Sequence, residues 1–216
     1  MVRVAPITLR LGYRPPLAVA PLLGALRAHA VPGLELPGEA AATHTRVVMG
    51  PGGPALATVD LGGGEGGLRL TLRPADPRDV AHLVVAIRRW LDLDADPGPI
   101  AAALGTDPLL SPLVAARPGL RVLGSPDGFE CAVLTVLGQQ VSLAAARTFA
   151  GRLVTAYGRP VSGGLSGFPD AGELADADPV RLRETVGITR ARAASVRALA
   201  AAARDGLDLT PRADGE

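Results

Sequence analysis

Residues 135–153, TVLGQQVSLAAARTFAGRL, place two adjacent glutamines inside a long apolar helical run. Gly138 precedes Gln139 and Gln140, and Ser142 follows two positions later. Glycine commonly ends a helix and serine caps the start of one, so the pattern predicts a joint between two helices. The glutamines have two readings: they satisfy free backbone groups at the joint, or they form a short polar wedge that enters a groove. The residues alone leave both readings open.

The chain after residue 75 has helical periodicity, punctuated by a repeated Asp-Pro pair. Aspartate accepts hydrogen bonds from first-turn amides, and proline at the first helical position gives up no donor that the helix needs. Each pair therefore predicts a helix start, at Asp76-Pro77, Asp96-Pro97, Asp107-Pro108 and Asp178-Pro179. Ser125-Pro126-Asp127 predicts another, and a last helix is expected from about Thr189 to Arg204.

The chain before residue 75 reads as mixed α/β. Leu68, Leu70 and Leu72 alternate with polar residues, which predicts a half-buried strand. Strands are also expected at residues 7–11, 46–49 and 55–61, with a helix inside residues 17–33. The predicted fold class is therefore α+β, with a small α+β domain over residues 1–75 and an all-helical domain over residues 76–216. The helix that starts at Asp76 is left to either domain.

Composition excludes several function classes. The 216 residues carry a net charge of only +1, which argues against a protein that coats nucleic acid non-specifically. The sequence contains no lysine, so Schiff-base, pyridoxal-phosphate and P-loop chemistry have no amine to use. The GGGEGG run at residues 62–67 precedes a predicted strand rather than a helix, which favours a loop over a dinucleotide site. His29, His44 and His82 are scattered, so we expect neither a metal nor a cofactor.

Cysteine usage and hydropathy bear on the compartment. The single Cys131 cannot form an internal disulfide, and we expect it to be a small buried residue on a helix. No segment approaches the ~20 consecutive apolar residues of a membrane span, and the first residues lack an apolar signal-peptide core. A cytoplasmic protein is expected, without a membrane partner.

Arginines begin the last predicted helix, GITRARAASVRALAAAAR at residues 187–204. Arg190 and Arg197 are seven apart and therefore share a face. Arg190 and Arg192 lie near the helix start, where a cation opposes the helix dipole. Together with free first-turn amides they could hold a phosphate; an ordinary solvated face is the alternative.

Two segments in this order, FECAVLTVLGQQVSLAAARTFAGRLVTAYG and FPDAGELADADPVRLRETVGITRARAASVRALA, resemble the middle domain of the helix-hairpin-helix DNA glycosylases, specifically the AlkA-type 3-methyladenine glycosylases. LGYRPPLAVAPLLGALRAHAVPGLE, at residues 11–35, is similar to the opening strand, Pro-Pro turn and helix of that family. The resemblance runs from about residue 7 to about residue 209. It implies a TBP-like N-terminal α+β domain followed by the all-helical glycosylase domain.

The resemblance implies an N-glycosylase of base excision repair that flips an alkylated base out of the duplex. The implied partner is double-stranded DNA with alkylated or abasic sites, bound by a monomer. Gln140 falls at the intercalating tip, where well-known members carry leucine, and Ala25 stands where they place a pocket aromatic. The implied DNA-binding residues are Gln139, Gln140, Val141, Ser142, Arg190 and Arg192.

One departure concerns catalysis. The family uses an L-P-G-I-G hairpin between two helices and a later aspartate, and residues 1–216 contain no such hairpin. Asp214 is therefore not assigned that role, and no catalytic residue is assigned. We expect a helical domain that is incomplete before the hairpin and an alkylated-base glycosylase that is inactive alone. A non-catalytic damaged-DNA-binding module with a glutamine wedge is the alternative, and an interaction protein is a third reading.

Overall fold

The computed structural model describes residues 5–38, 42–63 and 67–210. Its strands are β1 (Ile7–Leu11), β2 (Glu35–Pro37), β3 (Thr43–Gly50), β4 (Gly53–Asp60) and β5 (Leu68–Arg73). They form one antiparallel sheet in the order β1-β5-β4-β3-β2. A strand therefore follows the glycine-rich loop, as expected, although residues 64–66 of that loop and Asp214 lie outside the described residues.

Helices dominate the rest of the chain. They are α1 (Val19–His29), α2 (Val80–Trp90), α3 (Pro97–Leu104), α4 (Ser111–Ala116), α5 (Gly128–Gly138), α6 (Leu143–Tyr157), α7 (Ala171–Asp176), α8 (Pro179–Val186) and α9 (Arg190–Arg204). A short 3-10 helix, Pro77–Asp79, leads into α2. The predicted α+β class is confirmed, with an antiparallel sheet early in the chain and helices after it.

Most of the predicted aspartate caps form. The side chains of Asp76, Asp96 and Asp178 accept the amides of Arg78, Gly98 and Arg181 at 2.9, 3.0 and 2.7 Å. The exception is Asp107, which does not begin a helix. Its carboxylate accepts the amides of Leu109 and Leu110 within a turn, and α4 begins only at Ser111. The two amides that follow Pro108 donate to the Asp107 carboxylate. These bonds stabilise a turn at residues 107–110, and the helix begins only after that turn.

Two hydrophobic clusters meet at β3. One joins the sheet to α1 and α2, and the other joins α5, α6, α7, α8 and α9. Val48 belongs to the first cluster and the adjacent Val47 to the second, because successive strand residues point to opposite faces. Leu83, Ile87 and Trp90 place α2 in the cluster of the sheet. The division at residue 75 stays a prediction.

A buried ionic cluster joins the two halves of the chain. The Arg46 Nη2 atom on β3 lies 2.6 Å from Glu130 Oε1 on α5, and Arg46 Nη1 lies 3.6 Å from Glu35 Oε1 on β2. His44 Nε2 is 2.8 Å from Glu35 Oε2. The Arg46 guanidinium also sits 4.9 Å from the ring centroid of Trp90 on α2. The Arg46 side chain therefore contacts the sheet, α2 and α5 at once.

The pKa values of the two carboxylates are shifted in opposite directions. Burial raises the pKa of Glu130, and Arg46 opposes that shift only in part. Burial acts the same way on Glu35, but Arg46 and His44 outweigh it, so the pKa of Glu35 is lowered. Distance alone would predict the lower pKa for Glu130, since Arg46 is nearer to Glu130 than to Glu35. We attribute the difference to the hydrogen bonds that Glu35 accepts from His44 and the Val31 amide, and to the negative charges of Glu35 and Asp127 near Glu130, so we expect Glu130 to be protonated first as the pH falls.

Helices α3 and α4 differ from the other helices in their packing. Neither contributes a buried residue. Large apolar side chains in and beside them are exposed, among them Ile100, Leu104, Leu109 and Leu113. Exposed apolar residues that cluster in this way form an uncovered hydrophobic surface. Across the described residues, no helix has the length and apolar character needed to cross a membrane.

The ionic cluster predicts a large loss of stability on substitution of Glu130. Glu130→Ala leaves the Arg46 charge buried without its nearest partner, which should lower the free energy of unfolding by about 3–5 kcal/mol. Urea unfolding measures the change. Glu184→Ala is the matched control, because the side chain of Glu184 is 62% exposed in its pair with Arg183. It should cost less than about 1 kcal/mol. Equal losses in the two variants would contradict the assigned role of Glu130.

Candidate DNA-contacting site

The α5–α6 joint, residues 139–142, forms an exposed tip. α5 ends at Gly138, and Ser142 caps α6 by accepting the Ala145 amide at 3.2 Å. Gln139 and Gln140 are exposed, and Val141 is half-buried. The cap on α6 therefore comes from the serine, while both glutamine side chains reach the surface. The predicted helix joint is present, and its polar residues are placed where a partner can touch them.

Gln140 has an unusual backbone conformation. Its φ of 54° is in the left-handed region, which a residue with a Cβ seldom adopts. That conformation costs about 1–2 kcal/mol in a non-glycine residue. Gln139 just before it has an ordinary extended conformation, with φ −60° and ψ 126°. The chain therefore turns sharply at Gln140, at the exposed end of the joint.

Arg192 on α9 fixes the tip from outside the joint. Its Nη2 atom donates to the Gln139 carbonyl oxygen at 2.6 Å, across 53 residues of sequence. The guanidinium lies 5.9 Å from the ring centroid of Phe149 on α6. The Arg192 amide is itself held by Thr189, whose hydroxyl caps α9 at 3.2 Å. The structure therefore brings the predicted glutamines and Arg192 together.

The position of Arg192 offsets the electrostatic cost expected from the sequence. A cation in the first turn of α9 opposes the dipole of that helix. The Arg192 side chain, however, bonds the residue that follows the last turn of α5, where a positive charge is favourable. Arg190 is exposed, and in the described part of the chain it makes no hydrogen bond or ion pair. The two arginines thus have different surroundings.

Arg197 has a structural partner that the sequence did not indicate, and the expectation for Cys131 is wrong. Arg197 shares a face with Arg190 by spacing, yet its Nη2 atom donates to the Ala175 carbonyl at 3.2 Å, so it helps to pack α7 on α9. Cys131 was expected to be buried and is exposed. It lies on the face of α5 that points away from the core residues Val133 and Leu137. The buried residues of α5, Glu130, Val133 and Leu137, follow i, i+3, i+7 spacing, and Cys131 falls outside that stripe.

A cavity at the start of α5 lies away from the tip. It has a volume of about 610 Å³ and is lined by His82, Arg89, Asp127, Phe129 and Phe168, among others. It lies at the first turn of α5, and the 11 residues of that helix separate it from Gln139 by roughly 16 Å. Among residues 5–38, 42–63 and 67–210, no group of three or more His, Cys, Asp or Glu side chains is arranged to hold a metal ion.

The backbone of Gln140 gives a stability prediction. Gln140→Gly should raise the free energy of unfolding by about 0.5–1 kcal/mol, because glycine adopts a positive φ without the Cβ penalty. Thermal or urea unfolding measures the change. Gln139→Gly is the matched control: its φ is negative, so it should lower stability or leave it unchanged. A stabilisation of equal size at both positions would contradict the left-handed assignment.

Comparison with known proteins agrees with this architecture. The AlkA N-terminal domain model matches residues 8–127, and the model of the HhH-GPD superfamily of base excision DNA repair proteins matches residues 133–215. A 3-methyladenine DNA-glycosylase from Archaeoglobus fulgidus has the same fold, with a TM-score of 0.73 at 18% identity, over 90% of this chain and 66% of that one.

Curated relatives are more similar in sequence. A probable bifunctional transcriptional activator/DNA repair enzyme AlkA of Mycobacterium tuberculosis is 41% identical over 203 residues, 92% of this chain and 39% of the relative. DNA-3-methyladenine glycosylase 2 of Escherichia coli is 32% identical over 209 residues, 95% of this chain and 71% of the relative. The chain thus spans about two fifths of the length of the mycobacterial protein. The resemblance found in the sequence is confirmed, and the chain belongs to the AlkA-type family of DNA-3-methyladenine glycosylases, within the HhH-GPD superfamily.

Proposed function

We propose that the chain acts in base excision repair as part of an alkylated-base DNA N-glycosylase of the 3-methyladenine type, and that the α5–α6 tip is its DNA wedge. The proposed DNA contacts are Gln139, Gln140, Val141, Ser142, Arg190 and Arg192. The observation that carries the proposal is the exposed Gln140 on a fixed turn, with an exposed cation, Arg190, on the neighbouring helix. Family membership supplies the reaction class.

The wedge has a physical task in this reaction. An enzyme that works on a base must take it out of the stack, at a cost of a few kcal/mol, and the gap must then be filled. The Gln140 side chain is an amide with both donor and acceptor groups. It can therefore fill the gap and also hydrogen-bond the base left without a partner. A leucine at this position could provide only the filling.

The surroundings of the tip suit a phosphate backbone. The net charge of +1 gives no general attraction to DNA, so local cations must supply it. Arg190 is exposed at the start of α9, and the first-turn amides there favour an anion. Ser142 begins α6 on the other side of the tip, where the same argument holds. The starts of α6 and α9 therefore both offer free amides, and α9 reaches the tip through the contact of Arg192 with Gln139.

Base release by this chain is a separate matter. No catalytic residue is assigned in residues 1–216. These residues do not contain the L-P-G-h-G hairpin, where h is an apolar residue, that the family is expected to use in catalysis. A non-catalytic damaged-DNA-binding module is therefore the second candidate. A base-release assay on methylated duplex distinguishes the two. We expect no 3-methyladenine release by the chain alone, and release above background would overturn that expectation and favour a complete active site.

The wedge assignment predicts a selective loss of binding. Gln140→Ala should weaken binding to a duplex with an abasic site about tenfold, equivalent to about 1.4 kcal/mol, because the gap then loses its filler. Binding to intact duplex should change less than about twofold, since no gap is filled there. Fluorescence anisotropy with both duplexes measures the ratio. Thr185→Ala, which shortens an exposed polar side chain on α8 outside the proposed contacts, is the control and should change binding to neither duplex. An equal effect of Gln140→Ala on both duplexes would contradict the wedge and leave Gln140 as a residue that only joins two helices.

A monomeric state and a cytoplasmic location belong to the same proposal. One exposed cysteine and the absence of an internal disulfide partner suit a reducing compartment. Sedimentation of the chain with and without duplex tests the monomer, and it also shows whether the exposed apolar surface of α3 and α4 leads to association.

A further inference from the structure

We propose that Arg192 is a positioning residue for the wedge, and that it acts on DNA through the Gln139 carbonyl rather than by binding a phosphate itself. This inference rests on the proposed function of the tip. It refines that proposal by taking Arg192 out of the direct DNA contacts and keeping Arg190 among them. The two arginines lie two positions apart in the sequence and have different surroundings in the structure.

The first step is the need for a restraint at the tip. Gln140 adopts a left-handed backbone conformation that a glutamine disfavours, and it does so in an exposed four-residue connection. Such a conformation persists only where the surroundings hold it in place. Within the joint itself, the Ser142 hydroxyl is used by the Ala145 amide. The restraint on the residue before Gln140 therefore comes from another element.

Arg192 supplies that restraint. Its Nη2 atom is 2.6 Å from the Gln139 oxygen, which is the short distance of a charge-assisted hydrogen bond. The Gln139 carbonyl belongs to the peptide group that leads into Gln140, so holding this carbonyl restricts the backbone rotation that precedes the turn. Gln139 is exposed, so water competes for its carbonyl oxygen. The positive charge of the guanidinium and the contacts that fix Arg192 favour the hydrogen bond over that competition.

The hydrogen bond from Arg192 to the Gln139 carbonyl is called the clamp below. Both the backbone and the guanidinium of Arg192 are held in place. The Arg192 amide bonds the Thr189 hydroxyl, and its guanidinium rests against the ring of Phe149. Phe149 packs against the core cluster of the helical part. A planar guanidinium on an aromatic face is preorganised, so little freedom is lost when it bonds the carbonyl. Arg192 is thus placed to hold the tip before any DNA arrives.

Arg190 is the natural contrast. It has no hydrogen-bond or ion-pair partner within the described residues, and its side chain is exposed. A free arginine at a helix start can bind a phosphate at no cost to the fold. The two residues have the same side chain, so they can be substituted in the same way. Arg190→Met is therefore the matched control for Arg192→Met.

The experiment measures binding to a duplex with a tetrahydrofuran abasic analogue and to the intact duplex, each over a range of salt concentrations. Arg192→Met should reduce the preference for the abasic duplex about tenfold and leave the slope of log K against log salt unchanged, because no phosphate contact is lost. Arg190→Met should weaken both duplexes alike and reduce that slope by about 0.9. A slope loss in Arg192→Met equal to that in Arg190→Met overturns the positioning role and makes Arg192 a phosphate contact.

Amide hydrogen exchange tests the clamp without DNA. In Arg192→Met the amides of Ala145 and Ala146, which donate to the Ser142 hydroxyl and carbonyl at the tip, should exchange about tenfold faster, while Arg190→Met leaves them unchanged. Unchanged exchange in both variants overturns the clamp. Phe149→Leu keeps every charge and removes the ring behind the guanidinium, so it should also speed exchange at the tip, and it serves where Arg192→Met does not fold. If the wild-type chain shows no preference for the abasic duplex, the proposed wedge fails, while exchange still decides the clamp.

Discussion

The buried guanidinium of Arg46 is the interaction on which the rest of the structure depends. It lies against Glu130 of α5, Glu35 of β2 and the ring of Trp90 on α2. A buried charge is costly unless it is paired, so each of these elements must stay in place for the others to remain. The sheet, α2 and α5 belong to two hydrophobic clusters, and Arg46 is a buried polar contact between them. Together with the apolar contacts of Val47, Val133 and Leu137, this ion pair holds α5 against the sheet.

Much of the architecture was predictable because its signals are local. Strand β5 follows from alternating leucines, and the starts of α3, α5 and α8 follow from aspartates that bond amides two or three residues ahead. The short strand β2 was not predicted, since Glu35–Pro37 is too short for a periodic pattern and exists through its pairing with β3. Asp107 shows the limit of a local rule. It makes the expected hydrogen bonds, but they close a turn before the helix.

The residues of the joint could be predicted from the sequence, but the contact that brings Arg192 to them could not. Gly138, the two glutamines and Ser142 indicated a joint, and Ser142 does cap α6. The contact of Arg192 with Gln139 spans 53 residues, and no spacing rule reaches across that distance. The same holds for Arg46 and Glu130, which are 84 residues apart. Both arginines look like surface residues in the sequence, because arginine is rarely buried and its partner lies on another element.

Helix α5 connects these two long-range contacts. Near its start, Glu130 bonds Arg46 of the sheet, and just after its end the Gln139 carbonyl bonds Arg192 of α9. A carboxylate in the first turn and a guanidinium beyond the last turn both complement the helix dipole, so the two contacts stabilise α5 itself. Charged contacts to other elements therefore hold α5 at both ends, to the sheet at one end and to α9 at the other. The exposed tip follows a helix whose first turn is fixed in the buried ionic cluster.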